Sequence, residues 1–208
     1  MSQKSQQSSR PPMQKRSRER YELILATAED MLLQAGGDAF KMSDLVGRSG
    51  VPFGSLYQYF PDKGAVIGAL AGRYNQVGRE CVAAILDPVT DLDRFLSALD
   101  EVVDGFYQMF RDYPAMTPIW EATQADQYLK EVDRQDVEQH ALMLADAYRR
   151  AAPGLPEHQV LTLSRLATEL MACAVRHAIT LDEAEARESL RVFKQGLKGF
   201  FVPASRAT

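Results

Sequence analysis

Apolar side chains recur every third or fourth position along almost the whole chain, and no stretch alternates with the period of two that a strand requires. The pattern predicts an all-α protein. Tyr21, Ile24, Leu25, Ala28, Met31 and Leu32 predict a first helix from about Arg18 to Ala35, with Gly36 and Gly37 ending it. After Phe60, Pro61 stops one helix and Asp62 caps the next, a long one from Lys63 towards Leu86 carrying Val66, Leu70, Tyr74 and Val77. Asp87-Pro88 breaks it. Leu92 to Arg111 then predicts a strongly apolar helix, followed by an irregular corner over Pro114–Pro118 and further helices over about Ala122–Ala151, Glu157–Thr180 and Glu183–Phe201. There are no internal repeats.

The most informative stretch runs from Phe40 to Lys63. Leu45, Val51, Leu56 and Phe60 are spaced to face inward from two short helices, and Gly50 falls where a left-handed C-cap is cheapest because glycine has no Cβ. Pro52 stands where a helix begins, and a first-turn N–H has no intrahelical partner to lose. Phe53, Gly54, Ser55, Tyr57 and Gln58 are left facing outward. Such an arrangement suits a helix-turn-helix, whose second helix lies in the major groove of DNA.

The set Asp44-Leu45-Val46, Gly50-Val51, Gly54, Leu56-Tyr57, Tyr59-Phe60 and Lys63 resembles the tetracycline-repressor (TetR) family of bacterial regulators, and the segment from about Arg18 to Leu70 follows that family's three-helix order. Three positions depart from the pattern. Lys41 and Met42 stand where a hydroxyl residue usually caps the second helix, Val46 replaces an alanine, and Phe53 replaces a small polar residue. The resemblance implies a homodimer whose N-terminal domain grips double-stranded operator DNA and whose C-terminal helices bind a small-molecule effector. It divides the chain into a flexible basic tail at 1–17, a DNA-binding domain at 18–64 and a helical ligand-binding and dimerisation domain at 65–208. The candidate DNA-binding residues are Lys41, Ser43, Phe53, Gly54, Ser55, Tyr57, Gln58, Tyr59 and Lys63. Tyr57, Tyr59 and Lys63 are expected on phosphates, and Ser55, Gln58, Phe53 and Gly54 on bases. The regulator is expected to be a repressor released by a hydrophobic or amphipathic effector. The alternatives are an activator of the same family or a helical protein-interaction module.

Net charge changes the picture only when divided along the chain. The total is -4, which is wrong for a nucleic-acid binder. Residues 1–80, however, hold eleven Lys/Arg against eight Asp/Glu, and residues 81–208 hold thirteen against twenty. The basic end is therefore the DNA end, and Lys4, Arg10, Lys15, Arg16, Arg18 and Arg20 stand ready to neutralise phosphates. Hydrophobic content of 46% supports a substantial core, no apolar run reaches membrane-spanning length, and the N-terminus carries no secretory signal, so a cytoplasmic protein is expected. Cys81 and Cys173 lie far apart without ligand spacing, which argues against a disulfide framework or zinc site.

Other constellations are thin. His140, His158 and His177 are scattered, no catalytic motif stands out, and Glu131, Asp133, Asp136 and Glu138 read as a solvated helix face; neither enzyme chemistry nor a cofactor is expected. Phe106, Phe110, Tyr113, Met116 and Trp120 gather around the Pro114–Pro118 corner and can line an effector cavity, though ordinary core packing accounts for them equally. Arg176 or His177 could orient an acid there. Leu163, Ala167 and Leu170 on one C-terminal helix, and Leu190, Phe193 and Leu197 on the next, are candidates for a two-fold dimer face; packing inside one protomer would produce the same stripes.

Overall fold

The computed structural model describes residues 12–35 and 41–206, and these form nine helices without a strand. Helix α1 spans Pro12–Ala35, α2 Met42–Ser49, α3 Phe53–Tyr59, α4 Lys63–Leu86, α5 Leu92–Asp112, α6 Met116–Gln124, α7 Gln127–Ala151, α8 Glu157–Ala178 and α9 Glu183–Arg206. The expected Gly36-Gly37 stop and residues 1–11 lie outside the described residues. Residues 12–17, expected to be tail, are instead the first turns of α1. Pro12 opens that helix without cost because an N–H at the first helical position has no acceptor to reach.

Local chemistry sets the breaks. Gly50 adopts φ 65° at the end of α2, a left-handed conformation that a Cβ would strain, and its N–H closes on the Val46 carbonyl. No side chain caps the start of α2, where Lys41 occupies the capping position. Asp62 caps α4 by accepting from the Ala65 N–H at 2.8 Å, and Asp91 caps α5 through the Arg94 N–H at 2.8 Å. The Pro114–Pro118 corner is not irregular as the sequence suggests. Met116 begins α6, with Pro118 still inside the first turn, where its missing N–H breaks no helical hydrogen bond.

Two cores result. The first joins Ile24, Leu25, Ala28 and Leu32 of α1 to Leu45, Val51, Leu56 and Phe60 of the short helices, and is completed by Val66, Leu70, Ala71 and Tyr74 of α4 together with Ala115 and Ile119 at α6. A boundary at residue 64 therefore cuts through this core. The second centres on Phe95, Tyr148 and Phe201, whose rings meet at 4.8–5.0 Å, with Leu99, Val103, Leu144 and Val175 around them. The Tyr148 hydroxyl donates to the Phe201 carbonyl at 2.9 Å, so the buried phenol is satisfied. Val77, expected to point inward on α4, is exposed; Gly78 takes the buried position beside it.

The Asp62 cap positions α4 directly behind the α3 turn. Asp62→Ala should lower stability by about 1 kcal/mol, read as a lower urea midpoint at unchanged slope, with Asp62→Asn losing much less. Equal midpoints for the alanine variant and the parent would show that the cap contributes nothing.

Candidate nucleic-acid interface and cavity

The helix-turn-helix is held from behind by packing, so its front is free. Leu56 and Phe60 bury one face of α3, and Tyr21 stacks on Phe60 at 5.1 Å. On the front, Phe53, Gly54 and Gln58 are exposed, and Ser55 and Tyr57 are half-buried. Phe53 is 62% exposed, an unusual state for a phenyl ring, and lies 4.4 Å from the Tyr57 ring, so the two form an aromatic plate at the start of α3. Lys41 and Ser43 are exposed at the start of α2.

Two of the expected phosphate ligands are less simply placed. Tyr59 turns back against α1, its hydroxyl 2.7 Å from the Ser17 hydroxyl and its ring edge-on to Tyr21. It braces the domain. Lys63 is half-buried at the start of α4, beside a hollow that it lines with Gly64, Ile67, Glu121 and Asp126.

The second site is a cavity of about 150 Å³ walled by α4, α5, α6, α7 and α8. Phe106, Phe110, Met116 and Trp120 all line it, as the aromatic cluster suggests. Tyr113 does not. It is 42% exposed and packs its ring at 5.5 Å against the outer side of Tyr74. Asp133 and Asp136, expected on a solvated helix face, are cavity wall, because α7 turns that face towards α4 and α6. Glu131 and Glu138 on the same helix do face water, paired with Arg134 and Arg165.

The polar wall is closely engaged. Asp136 pairs with Arg79 of α4, and His140 Nδ1 lies 3.4 Å from its carboxylate and 2.9 Å from its backbone carbonyl. Burial pushes the Asp136 carboxyl above the usual carboxylate range, against the pull of His140 and Arg79. Asp133 accepts from Gln124 Nε2 at 3.0 Å. Arg176 of α8 lays its guanidinium 4.6 Å above the Trp120 ring, whereas His177 is exposed outside the cavity. The i, i+3 and i+7 spacing of Asp133, Asp136 and His140 on one face of α7 was the available signal. Their partners, 9 and 57 residues away, were invisible to it.

A hydrogen bond ties the cavity to α1. Tyr74 lines the cavity, and its hydroxyl donates 2.6 Å to Glu29 on α1. Burial, followed by that hydrogen bond, raises its pKa. Ile119 likewise belongs both to the cavity wall and to the N-terminal core.

Of the candidate dimer residues, Ala167, Leu190 and Leu197 are buried within the protomer at 0%, 3% and 1% exposure, so they cannot form a free face. Leu163, Leu170 and Phe193 are half-buried. Between them α8 exposes Leu166 and Cys173, and α9 exposes Val192, Gly196, Gly199 and Phe200. Among the described residues no cluster of His, Cys, Asp or Glu could hold a metal ion, and no helix is long and apolar enough to cross a membrane.

Comparison with known proteins agrees with this anatomy. Residues 24–70 match a family model described as bacterial regulatory proteins, tetR family, and residues 93–200 one described as tetracyclin repressor-like, C-terminal domain. Solved structures of similar fold include a putative transcriptional regulator from Streptomyces coelicolor A3(2), with TM-score 0.68 and 15% identity over 88% of this chain and 98% of that one. A TetR-family transcriptional regulator from Streptomyces coelicolor gives TM-score 0.66 and 23% identity over 88% and 99%. A TetR transcription regulator from Haloarcula marismortui gives 0.68 and 13% over 90% and 98%. No curated protein matches the sequence.

The Asp136–Arg79 pair supplies a pH-dependent test. Arg79→Ala leaves the carboxyl desolvated without its cation, so its folded-state pKa rises further above the unfolded value. A raised carboxyl stabilises the fold while protonated, and that stability is lost as pH rises through the folded pKa. The destabilisation by Arg79→Ala should thus be smallest in acid and grow towards neutral pH, reaching about 1–2 kcal/mol once Arg79's partial exposure is allowed for. A penalty independent of pH in denaturant titrations would show that the pair is not electrostatically engaged.

Proposed function

We propose that this chain, which belongs to the tetR family of bacterial regulatory proteins, is a transcriptional regulator that holds an inverted-repeat operator as a two-fold dimer and releases it when a small molecule fills the cavity. The observation that carries this reading is the sharing of α4 and α6: both helices complete the core behind the exposed α3, and both wall the cavity. A ligand can release DNA only by binding more tightly to a conformation whose paired α3 helices no longer match the half-sites. Repression relieved by the ligand is the simplest use of that coupling.

In this reading Gln58 offers the bidentate amide that suits adenine, Ser55 and Gly54 allow close approach, and the Phe53–Tyr57 plate meets the methyl groups of thymine. Lys63 adds charge at the N-terminal end of α4, where the helix dipole already favours an anion. The dimer is built from the outward stripes, Leu163, Leu166, Leu170 and Cys173 on α8 and Val192, Gly196, Gly199 and Phe200 on α9, which recur at three and four residues. Paired with their two-fold copies they make a four-helix bundle.

Gel shifts with DNA flanking the protein's own gene provide the test. Gln58→Ala should relax preference at particular base pairs by roughly 1–3 kcal/mol, whereas Lys63→Ala should weaken all sequences alike and reduce the salt slope by about 1. Replacing half-site thymines by deoxyuridine should weaken the parent and leave Phe53→Ala unaffected. If the parent shows no sequence preference in any of these experiments, the operator reading fails.

Sedimentation tests the assembly. The parent should be a dimer at micromolar concentration, and Leu166→Asp or Val192→Asp should yield helical monomers, because both side chains are exposed in the protomer and their replacement leaves its core intact. A monomeric parent would contradict the proposal.

A further inference from the structure

The cavity's polar groups are not equally committed, and the imbalance identifies the kind of molecule it takes. Its two carboxylates already have partners, Asp136 in Arg79 and His140 and Asp133 in the Gln124 amide. Arg176 differs. Among the described residues its guanidinium has no carboxylate within 4.0 Å and no hydrogen bond, and it is fixed only by lying over Trp120. Every other arginine of α4 to α8 has a side-chain partner: Arg73, Arg79, Arg94, Arg134, Arg149, Arg150 and Arg165 hold carboxylates, and Arg111 reaches the Tyr107 hydroxyl.

An arginine stacked on an aromatic wall keeps its in-plane N–H donors free in a fixed fork, the geometry that carboxylates accept in bidentate fashion. An ammonium head would share Asp133 with the Gln124 amide or compete with Arg79 for Asp136, whereas an anionic head meets a guanidinium that no carboxylate holds. Besides Arg176 and Trp120, the polar lining includes Asp133, Asp136 and His140 of α7, whereas Val82, Leu86, Val102, Phe106 and Leu144 make an apolar group that includes the Leu86 end of α4. Lining residues on α4 run from Ala71 to Leu86, about 22 Å of helix at 1.5 Å per residue. The site follows α4, with a stacked cation in its wall and hydrocarbon at the Leu86 end.

We propose that the effector is a monoanionic amphiphile, a carboxylate with a slender apolar tail, whose head sits on Arg176 above Trp120 and whose tail runs along α4 towards Leu86. This rests on reading the cavity as the effector site. The tail supplies affinity and the head supplies selection: each buried CH2 adds about fourfold, and a charged hydrogen-bonded pair discriminates against a neutral head by about 10–100-fold.

The experiment titrates the full-length protein with decanoate, decan-1-ol and decylammonium, following Trp120 fluorescence and heat of binding. Trp120 is the only tryptophan. Decanoate should bind at least about tenfold more tightly than the alcohol and more tightly still than the amine, with octanoate about fifteenfold weaker than decanoate. Arg176→Gln should bring decanoate down to the alcohol's affinity while the alcohol binds as before, and Arg176→Lys should retain part of the preference. Tightest binding by the amine, or a decanoate preference that survives Arg176→Gln, overturns the anionic head while leaving the cavity as a binding site. Binding of none of the three to the parent, by either readout, overturns the effector site itself. The head-group comparison in the parent decides the question even if Arg176→Gln fails to fold.

Discussion

Helix α4 cannot belong to one domain. It is a single hydrogen-bonded rod, capped by Asp62 immediately after the DNA-reading turn, and its first turns bury Val66, Leu70 and Tyr74 in the N-terminal core while its later turns wall the cavity. A helix transmits a shift along its axis because bending it breaks the i to i−4 ladder. Whatever repacks the cavity end must therefore be felt behind α3. Helix α6 doubles the link, since Ile119 is shared by both environments.

The Tyr74–Glu29 hydrogen bond gives this mechanical link a chemical end-point. A phenol lining an apolar cavity needs an acceptor, and here the acceptor is a carboxylate on α1, the helix that braces the reading pair. In the proposed switch, a ligand that moves Tyr74 must either carry α1 with it or leave a polar pair unsatisfied. Either outcome couples cavity occupancy to the pose of α3 in free-energy terms, as coupling between sites requires.

The two ends of the chain also divide the electrostatic labour. The positive excess of residues 1–80 and the negative excess of residues 81–208 orient the molecule towards a polyanion by its N-terminal end. Within the cavity the logic is reversed in scale: one desolvated ion pair and one stacked guanidinium matter more than the net charge, because screening by solvent is weakest there.

Local signals explain what was legible. Gly50, Pro52, Pro61-Asp62 and Asp87-Pro88 act within a turn or two of themselves, and the period of the apolar residues gives the helices between, so the helix-turn-helix, the long α4 and the all-α class were readable from residue order. The family's motif lies inside that locally determined stretch. What the sequence could not decide was which of two apolar neighbours on a helix faces a core and which faces outward. Ala167, Leu190 and Leu197 share their period with Leu163, Leu166 and Phe193, and only the packing of α8 and α9 against α5 and α7 consigns the first group to the interior. Pro118 suggested a break that the geometry of a first turn absorbs as α6. Asp133, Asp136 and Arg176 carry the polar chemistry of the cavity, yet each looks like an ordinary surface charge until Gln124, Arg79 and Trp120 are brought beside it. Such pairings depend on contacts between helices distant in sequence, and a helix's periodicity states that it has a buried face without stating what that face will meet.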